Sequence, residues 1–295
     1  MELHFELENK CLLKCLHCSS YASSDGRACG YSIENVVDFV SSADDDNVIF
    51  LTGGEPLLNE FLDRLMESIV NIGKQSSIGL FTSGVIGRSG NLRPVSDAHA
   101  KKLVRHGLKV CYFSIYSHDS GMHDWMTRTP GSLDITKKSL CNLRNAGVEI
   151  RFNTVVTRKN RNIIDKIIDF AQTCGAVEVR LLKLIQHGRA CSCWSEIGLS
   201  EDEYRSIVRR ILAKETSIRV TASGAVDVIP CRPCSNSLVC PAGSGILYVT
   251  HEGEIYPCAS VKNKPWYSIG ILSDKSTWKK YFENRFRFVQ PLCIK

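Results

Sequence analysis

Three cysteines near the N-terminus, Cys11, Cys15 and Cys18, follow one another as C-x3-C-x2-C. Three thiols at this spacing share one loop and can ligate a metal centre together. A closed structural zinc site takes four ligands, and no further cysteine or suitably spaced histidine follows before Cys29. Three ligands leave the centre with an open position; a zinc loop or three unrelated buried cysteines is the alternative. A second constellation is Gly53-Gly54-Glu55-Pro56. Its two glycines let backbone come close to a ligand, and the adjacent carboxylate suits an ammonium group. A third set is Cys231, Cys234, Cys240, Cys258 and Cys293, in which Cys240 and Cys258 bracket a hairpin as C-x12-G-x4-C with Gly253 at the bend. Five such cysteines are hard to explain as packing, and a zinc site on the same residues is the alternative to a cluster. Finally, His118, Asp119, His123, Asp124 and Arg128 crowd one loop, where imidazole and carboxylate can do acid/base work or hold a polar substrate. The competing reading is a solvated loop whose aspartate caps a helix.

These residues need elements to carry them. Short β-rich runs at 4–8, 47–52, 77–82, 109–116, 148–156 and 176–184 alternate with stretches of helical period at 33–42, 59–72, 96–106, 133–146 and 162–174. Gly73, Gly107, Gly147 and Gly175 each end a helix before a strand. Six β/α units with right-handed crossovers predict a parallel sheet curled into a partial (β/α)6 barrel of the TIM-like kind, an α/β fold whose chemistry sits at the C-terminal strand ends. Cys11, Cys15 and Cys18 then lie on the loop after the first strand, and Gly53 to Pro56 on the loop after the second. The expected division is a core over 1–190, a linker and helix over 191–216, and a small cysteine-rich domain over 217–295 built on a hairpin at 246–256.

Composition narrows the class. The 295 residues are 43% hydrophobic and 23% charged, which excludes disorder and coiled coil. The N-terminus MELHFELENK has no secretory pattern and no run is apolar enough to span a membrane, so the 14 cysteines are expected to stay reduced in a cytoplasm. A net charge of +6 is mild and scattered, and nothing in it calls for nucleic acid.

The C-x3-C-x2-C loop, with His17 before its last cysteine, together with Gly53-Gly54-Glu55-Pro56, resembles the radical S-adenosylmethionine (radical SAM) superfamily. That resemblance implies a 4Fe-4S cluster on Cys11, Cys15 and Cys18, whose open iron binds S-adenosylmethionine. Reductive cleavage would yield a 5′-deoxyadenosyl radical that abstracts a substrate hydrogen. It further implies cofactor contacts from His17, Gly53, Gly54, Glu55 and Pro56, and more weakly from Ser83, Ser114 and Asn153, for which a strand-end residue with a satisfied hydrogen bond is the alternative. Gly188-Arg189-Ala190 also resembles relatives that carry extra clusters. The C-terminal cysteines resemble a SPASM or twitch domain, implying a second, auxiliary 4Fe-4S cluster on Cys234, Cys240, Cys258 and Cys293, with Cys231 in reserve. His118, His123, Asp124 and Arg128 remain candidates for work on the substrate. The expected reaction is modification of a ribosomally made peptide by crosslinking, epimerisation or oxidation. Small-molecule natural-product or cofactor synthesis is the alternative; RNA modification and a non-catalytic iron-sulfur protein stand behind it. Expected partners are an electron donor such as flavodoxin or ferredoxin and, with no leader-binding segment ahead of Cys11, a separate leader-binding protein.

Overall fold

The computed structural model describes residues 1–43, 46–223, 241–262 and 264–284, so Cys231, Cys234, Cys240 and Cys293 lie outside the described residues. In chain order the strands are β1 (Glu2–Glu6), β2 (Val48–Thr52), β3 (Ser77–Thr82), β4 (Val85–Arg88), β5 (Asn91–Pro94), β6 (Leu108–Ser114), β7 (Glu149–Val156), β8 (Glu178–Lys183), β9 (Arg219–Ala222), β10 (Ile246–Val249), β11 (Glu254–Tyr256) and β12 (Gly270–Ile271). The helices are α1 (Ile33–Ser42), α2 (Leu62–Val70), α3 (Asp97–Arg105), α4 (Ser120–Thr127), α5 (Ser132–Asn145), α6 (Ile164–Thr173), α7 (Trp194–Ile197), α8 (Glu201–Leu212) and α9 (Lys275–Asn284). Serine side chains start several of them: Ser32 and Ser200 form capping boxes with Asn35 and Glu203, and Ser96 caps α3. Gly147 (φ +95°) and Gly175 (φ +75°) end α5 and α6 in the left-handed region, as their positions before strands predict.

Ten strands form one sheet in the order β12-β11-β10-β1-β2-β3-β6-β7-β8-β9. The pairs from β10 to β9 are all parallel, and β11 is antiparallel to both β10 and β12. One face, with Phe5, Ile49, Leu80, Phe113 and Phe152, packs on Phe39, Met66, Leu103, Leu143 and Ile167 of the helices to make the main core. The other face carries His4, Phe50, Phe81 and Tyr112, packed edge to face or stacked. Here Arg180 of β8 reaches Glu2 of β1 at 3.2 Å, although five strand steps separate the two. A flat sheet would hold those strands roughly 24 Å apart, so the sheet curls strongly enough for its two flanks to touch through their side chains.

The C-terminal segment does not keep its strands to itself. β9 pairs with β8 in the register Glu178↔Arg219, and β10 pairs with β1 in the register Glu2↔Ile246. Left alone, β1 and β8 would each present an unpaired row of backbone donors and acceptors, and the added strands cover both. The β4–β5 hairpin and α4 are further elements that the sequence pattern does not predict, and β1 begins two residues earlier than the expected 4–8. Among the described residues, no helix is long and apolar enough to cross a membrane.

Candidate active site

The loop after β1 has almost no regular structure and is held by its surroundings. Backbone N–H groups of Cys11, Lys14 and Leu16 donate to the carbonyls of Ser23, Thr127 and Met126 at 2.8, 3.0 and 2.9 Å. Cys11, Cys15 and Cys18 are half-buried and not disulfide-bonded. Burial pushes the Cys11 thiol well above its ordinary value, helped by the charges that Cys15 and Glu55 would carry; burial and Cys18 push Cys15 up to about 12. Neighbouring thiols thus oppose the ionisation of Cys11 and Cys15, and a bound cationic centre is what would hold these two as thiolates. No three His, Cys, Asp or Glu side chains among the described residues are arranged to hold a single metal ion. Three thiols on one loop are a donor set that would fit an iron-sulfur cluster, whose irons take cysteine thiolates.

Gly53-Gly54-Glu55 lies against that loop. Gly54 N–H donates to Glu8 O at 2.7 Å and Glu55 N–H to Lys10 O at 2.8 Å, prolonging the β1–β2 pairing past both strand ends. A Cβ on Gly53, where φ is +134°, would lie 2.4 Å from Glu8 O, and one on Gly54 would lie 2.1 Å from Lys10 O. The close approach that requires glycine here is thus to the cysteine loop's own backbone, where the sequence reading placed a ligand. Glu55 also differs from expectation. Its buried carboxylate accepts from Thr82 Oγ1 (2.5 Å), Ser83 N (2.8 Å), Ser83 Oγ (2.5 Å) and Leu57 N (3.3 Å). With both oxygens doubly engaged, the side chain clamps the end of β3, and Ser83 is one of its partners. Pro56 is buried at the start of the short helical turn that follows.

Across the sheet, Ser114 and Asn153 are direct partners in the β6–β7 ladder. The His17 ring lies 4.4 Å from Tyr116, which stacks on His123 at 5.4 Å. Burial lowers His17 to about 3 and His123 to about 4, so both imidazoles are neutral at ordinary pH. His17 Nδ1 and Asn153 Oδ1 are buried without a hydrogen-bond partner, and so are Glu8 Oε1 and His118 Nδ1. Buried polar atoms are normally paired, so orphans at the C-terminal ends of β6 and β7 are what a ligand-binding surface leaves open.

The expected acid/base loop divides into separate jobs. Asp119 caps α4 through Met122 N at 3.0 Å. Asp124 accepts from Gly131 N, Ser132 Oγ and Leu133 N at 2.5, 2.8 and 3.0 Å, which makes it the cap of α5. Arg128 ends α4 in the left-handed region and is exposed. It faces a cavity of about 840 Å³ shared with Leu16, Trp125, Arg189 and Cys193. His118 is half-buried just past β6. Of the four candidates, His123 alone stacks on Tyr116, whose ring meets His17 edge to face.

Of the C-terminal cysteines, Cys258 follows β11 and precedes a helical turn at Ala259–Val261. Four residues on, Lys262 donates to Glu6 Oε1 at 2.7 Å and Ser20 Oγ at 2.6 Å, tying this segment to the cysteine loop. Glu6 also accepts from the Tyr248 hydroxyl. Glu6, Tyr248 and Lys262 escaped the sequence reading, because nothing in their local pattern marks residues that meet only when β10 docks on β1.

Comparison with known proteins agrees with this geometry. Residues 6–171 match the sequence profile of the radical SAM superfamily, more than half of the chain. An AdoMet-dependent heme synthase of Nitratidesulfovibrio vulgaris is 24% identical over 90% of this chain and 77% of its own. The mycofactocin maturase MftC of Mycolicibacterium smegmatis is 24% identical over 92% of this chain and 67% of its own. Among solved structures, Streptococcus suis SuiB bound to S-adenosylmethionine superposes with a TM-score of 0.70 at 14% identity, covering 96% of this chain and 66% of SuiB, so this chain spans about two thirds of that protein. The thiol loop, the glycine-rich loop packed on it and the match over residues 6–171 lead to one assignment: the chain belongs to the radical SAM superfamily, a family of enzymes that use a 4Fe-4S cluster and S-adenosylmethionine.

Proposed function

We propose that Cys11, Cys15 and Cys18 hold the 4Fe-4S cluster and that the surface beside it, with His17, Ser114 and Asn153, takes S-adenosylmethionine. The observation that carries this reading is the Gly53–Glu55 backbone packed against the loop that bears all three cysteines, at the mouth of the sheet. When bound, cluster and cofactor supply a one-electron cleavage whose product abstracts a hydrogen atom from substrate. The chain's own residues position and enclose. The Gly53–Glu55 backbone locks the cysteine loop to β2, and Glu55 fixes β3. Backbone carbonyls of the Gly53–Glu55 segment would meet the cofactor's ammonium, because the Glu55 carboxylate is occupied. The neutral His17 and Tyr116 rings supply an apolar wall, and the Asn153 and His17 orphan atoms await polar groups. The contact between Arg180 and Glu2 supports a partial barrel as the enclosure.

The substrate we favour is a ribosomally made peptide, modified by crosslinking, epimerisation or oxidation. The likeness to a maturase and to SuiB, whose structure with its precursor peptide SuiA superposes with a TM-score of 0.69, supports it. A small-molecule substrate is the second reading, favoured by relatives named heme synthase and GTP 3′,8-cyclase. Cys258, with Cys234, Cys240 and Cys293, and Cys231 in reserve, would hold an auxiliary cluster in a C-terminal unit, and a flavodoxin or ferredoxin in the cytoplasm would supply electrons. Anaerobic reconstitution tests the assignment. Wild-type protein with dithionite and S-adenosylmethionine should release 5′-deoxyadenosine and Cys15→Ala should not; equal release by both would refute it. Iron near eight per chain supports two clusters, and about four with one zinc refutes the second.

A further inference from the structure

One residue outside the cysteine motif touches the cysteine loop three times. After β8 the chain turns through Gly188 (φ +62°) so tightly against the loop that a Cβ there would lie 2.2 Å from Cys18 O and 2.7 Å from Ser19 Cα. This approach delivers Arg189. Its backbone N–H donates to Cys18 O at 2.9 Å, its Nε to Cys15 O at 2.8 Å and its Nη1 to Ala22 O at 2.8 Å. Among the described residues no carboxylate pairs with it. We propose that Arg189 is a positioning residue of the radical-generating centre: its guanidinium braces the loop across Cys15 and Ala22 and sets a fixed positive charge beside Cys15.

This inference rests on the assignment of a cluster to Cys11, Cys15 and Cys18. The geometry explains why arginine stands here. A planar fork can bond two carbonyls separated along the loop, whereas a lysine ammonium is a single point charge on a flexible stem. A cation aimed at the loop and not neutralised by a carboxylate is compensated when the loop carries thiolates. It also favours the reduced, more negative state of a cluster held there.

The test compares full-length wild type, Arg189→Gln and Arg189→Lys. In metal-free protein, amide hydrogen exchange over residues 11–23 should accelerate at least tenfold in both variants, with exchange elsewhere unchanged. In anaerobically reconstituted protein, Arg189→Gln should bind an electron at the cluster about tenfold less favourably, a fall of 59 mV for one electron. Arg189→Lys should keep most of the wild-type potential because it keeps the charge. Failure of Arg189→Gln to take up iron, with the exchange change confined to the loop, also supports the brace. Wild-type exchange and wild-type potential in Arg189→Gln would overturn the proposal, as would a global rise in exchange. If wild type itself bound no iron, the cluster assignment would fall, and the exchange comparison would still decide whether Arg189 braces the loop.

Discussion

At the N-terminal ends of the strands, Glu178 accepts from Tyr112 Oη at 3.1 Å and Thr221 Oγ1 at 2.7 Å and pairs with Arg151 at 3.1 Å, while Arg180 bonds Tyr112 Oη and Glu2. At the C-terminal ends of the same strands and the loops they enter, His17 Nδ1, Asn153 Oδ1 and Glu8 Oε1 have no partner, and three free cysteines share one loop. The two clusters share strands and curvature, yet the Glu178–Tyr112–Arg180 network is paired throughout, whereas His17, Asn153 and Glu8 each keep a buried atom without a partner. An orphaned buried polar atom costs roughly 1–3 kcal/mol. A fold that accepts this around the cysteine loop gains from the paired Glu178–Tyr112–Arg180 network, and the unpaired atoms are where a ligand has something to bind.

Substitutions can break that contrast, and the largest effect belongs at the cysteine loop. Cys15→Ala should reduce 5′-deoxyadenosine release to background while leaving the urea midpoint of metal-free protein nearly unchanged. Next comes the Glu178 network. Glu178→Ala takes a buried partner from two arginines and two hydroxyls and should lower the unfolding free energy by about 3 kcal/mol, read from urea denaturation, with release per folded chain retained. Between the two lies Gly54→Ala, whose methyl would meet Lys10 O. It should reduce both stability, by about 2 kcal/mol, and iron uptake in reconstitution, because it pushes the cysteine loop off β2.

The smallest effect is a pH dependence that separates Glu8 from Glu2 by sign. Burial, helped by the Glu55 charge, raises Glu8 from 4.5 to about 8. The folded state then holds a proton that the unfolded state releases, so stability falls as pH rises from about 4.5 through 8. Burial also opposes ionisation of Glu2, but the His4 hydrogen bond and the Arg180 charge outweigh it and hold Glu2 at about 2, so its contribution is full above 4.5 and is lost as pH falls toward 2. Metal-free Glu8→Gln should therefore gain on wild type between pH 5 and 8.5 in urea denaturation. A constant difference across that range would remove Glu8 from the account.

Much of this site was legible from spacing. The cysteine loop after β1 and the glycine-rich loop after β2 follow from a strand-helix alternation strong enough to place β2 and β3 within a residue of their observed ends. Contacts between distant segments were not legible. Glu55 reads as a ligand for an ammonium group until β3 brings Thr82 and Ser83 to it, and Asp124 reads as a catalytic carboxylate until α5 begins under it. The strands at both sheet edges come from a segment whose cysteines suggested an independent unit, because edge pairing depends on what lies exposed on β1 and β8, which no local pattern records.

The central claim is that the cysteine loop holds a cluster with a site for S-adenosylmethionine. Electron paramagnetic resonance of the dithionite-reduced, reconstituted protein tests it most directly. The account predicts a reduced-cluster signal whose g values move when S-adenosylmethionine is added and which is missing in Cys11→Ala/Cys15→Ala/Cys18→Ala protein. A signal from those three positions that S-adenosylmethionine leaves unmoved, or one that survives in the triple variant with its response to the cofactor intact, would contradict it.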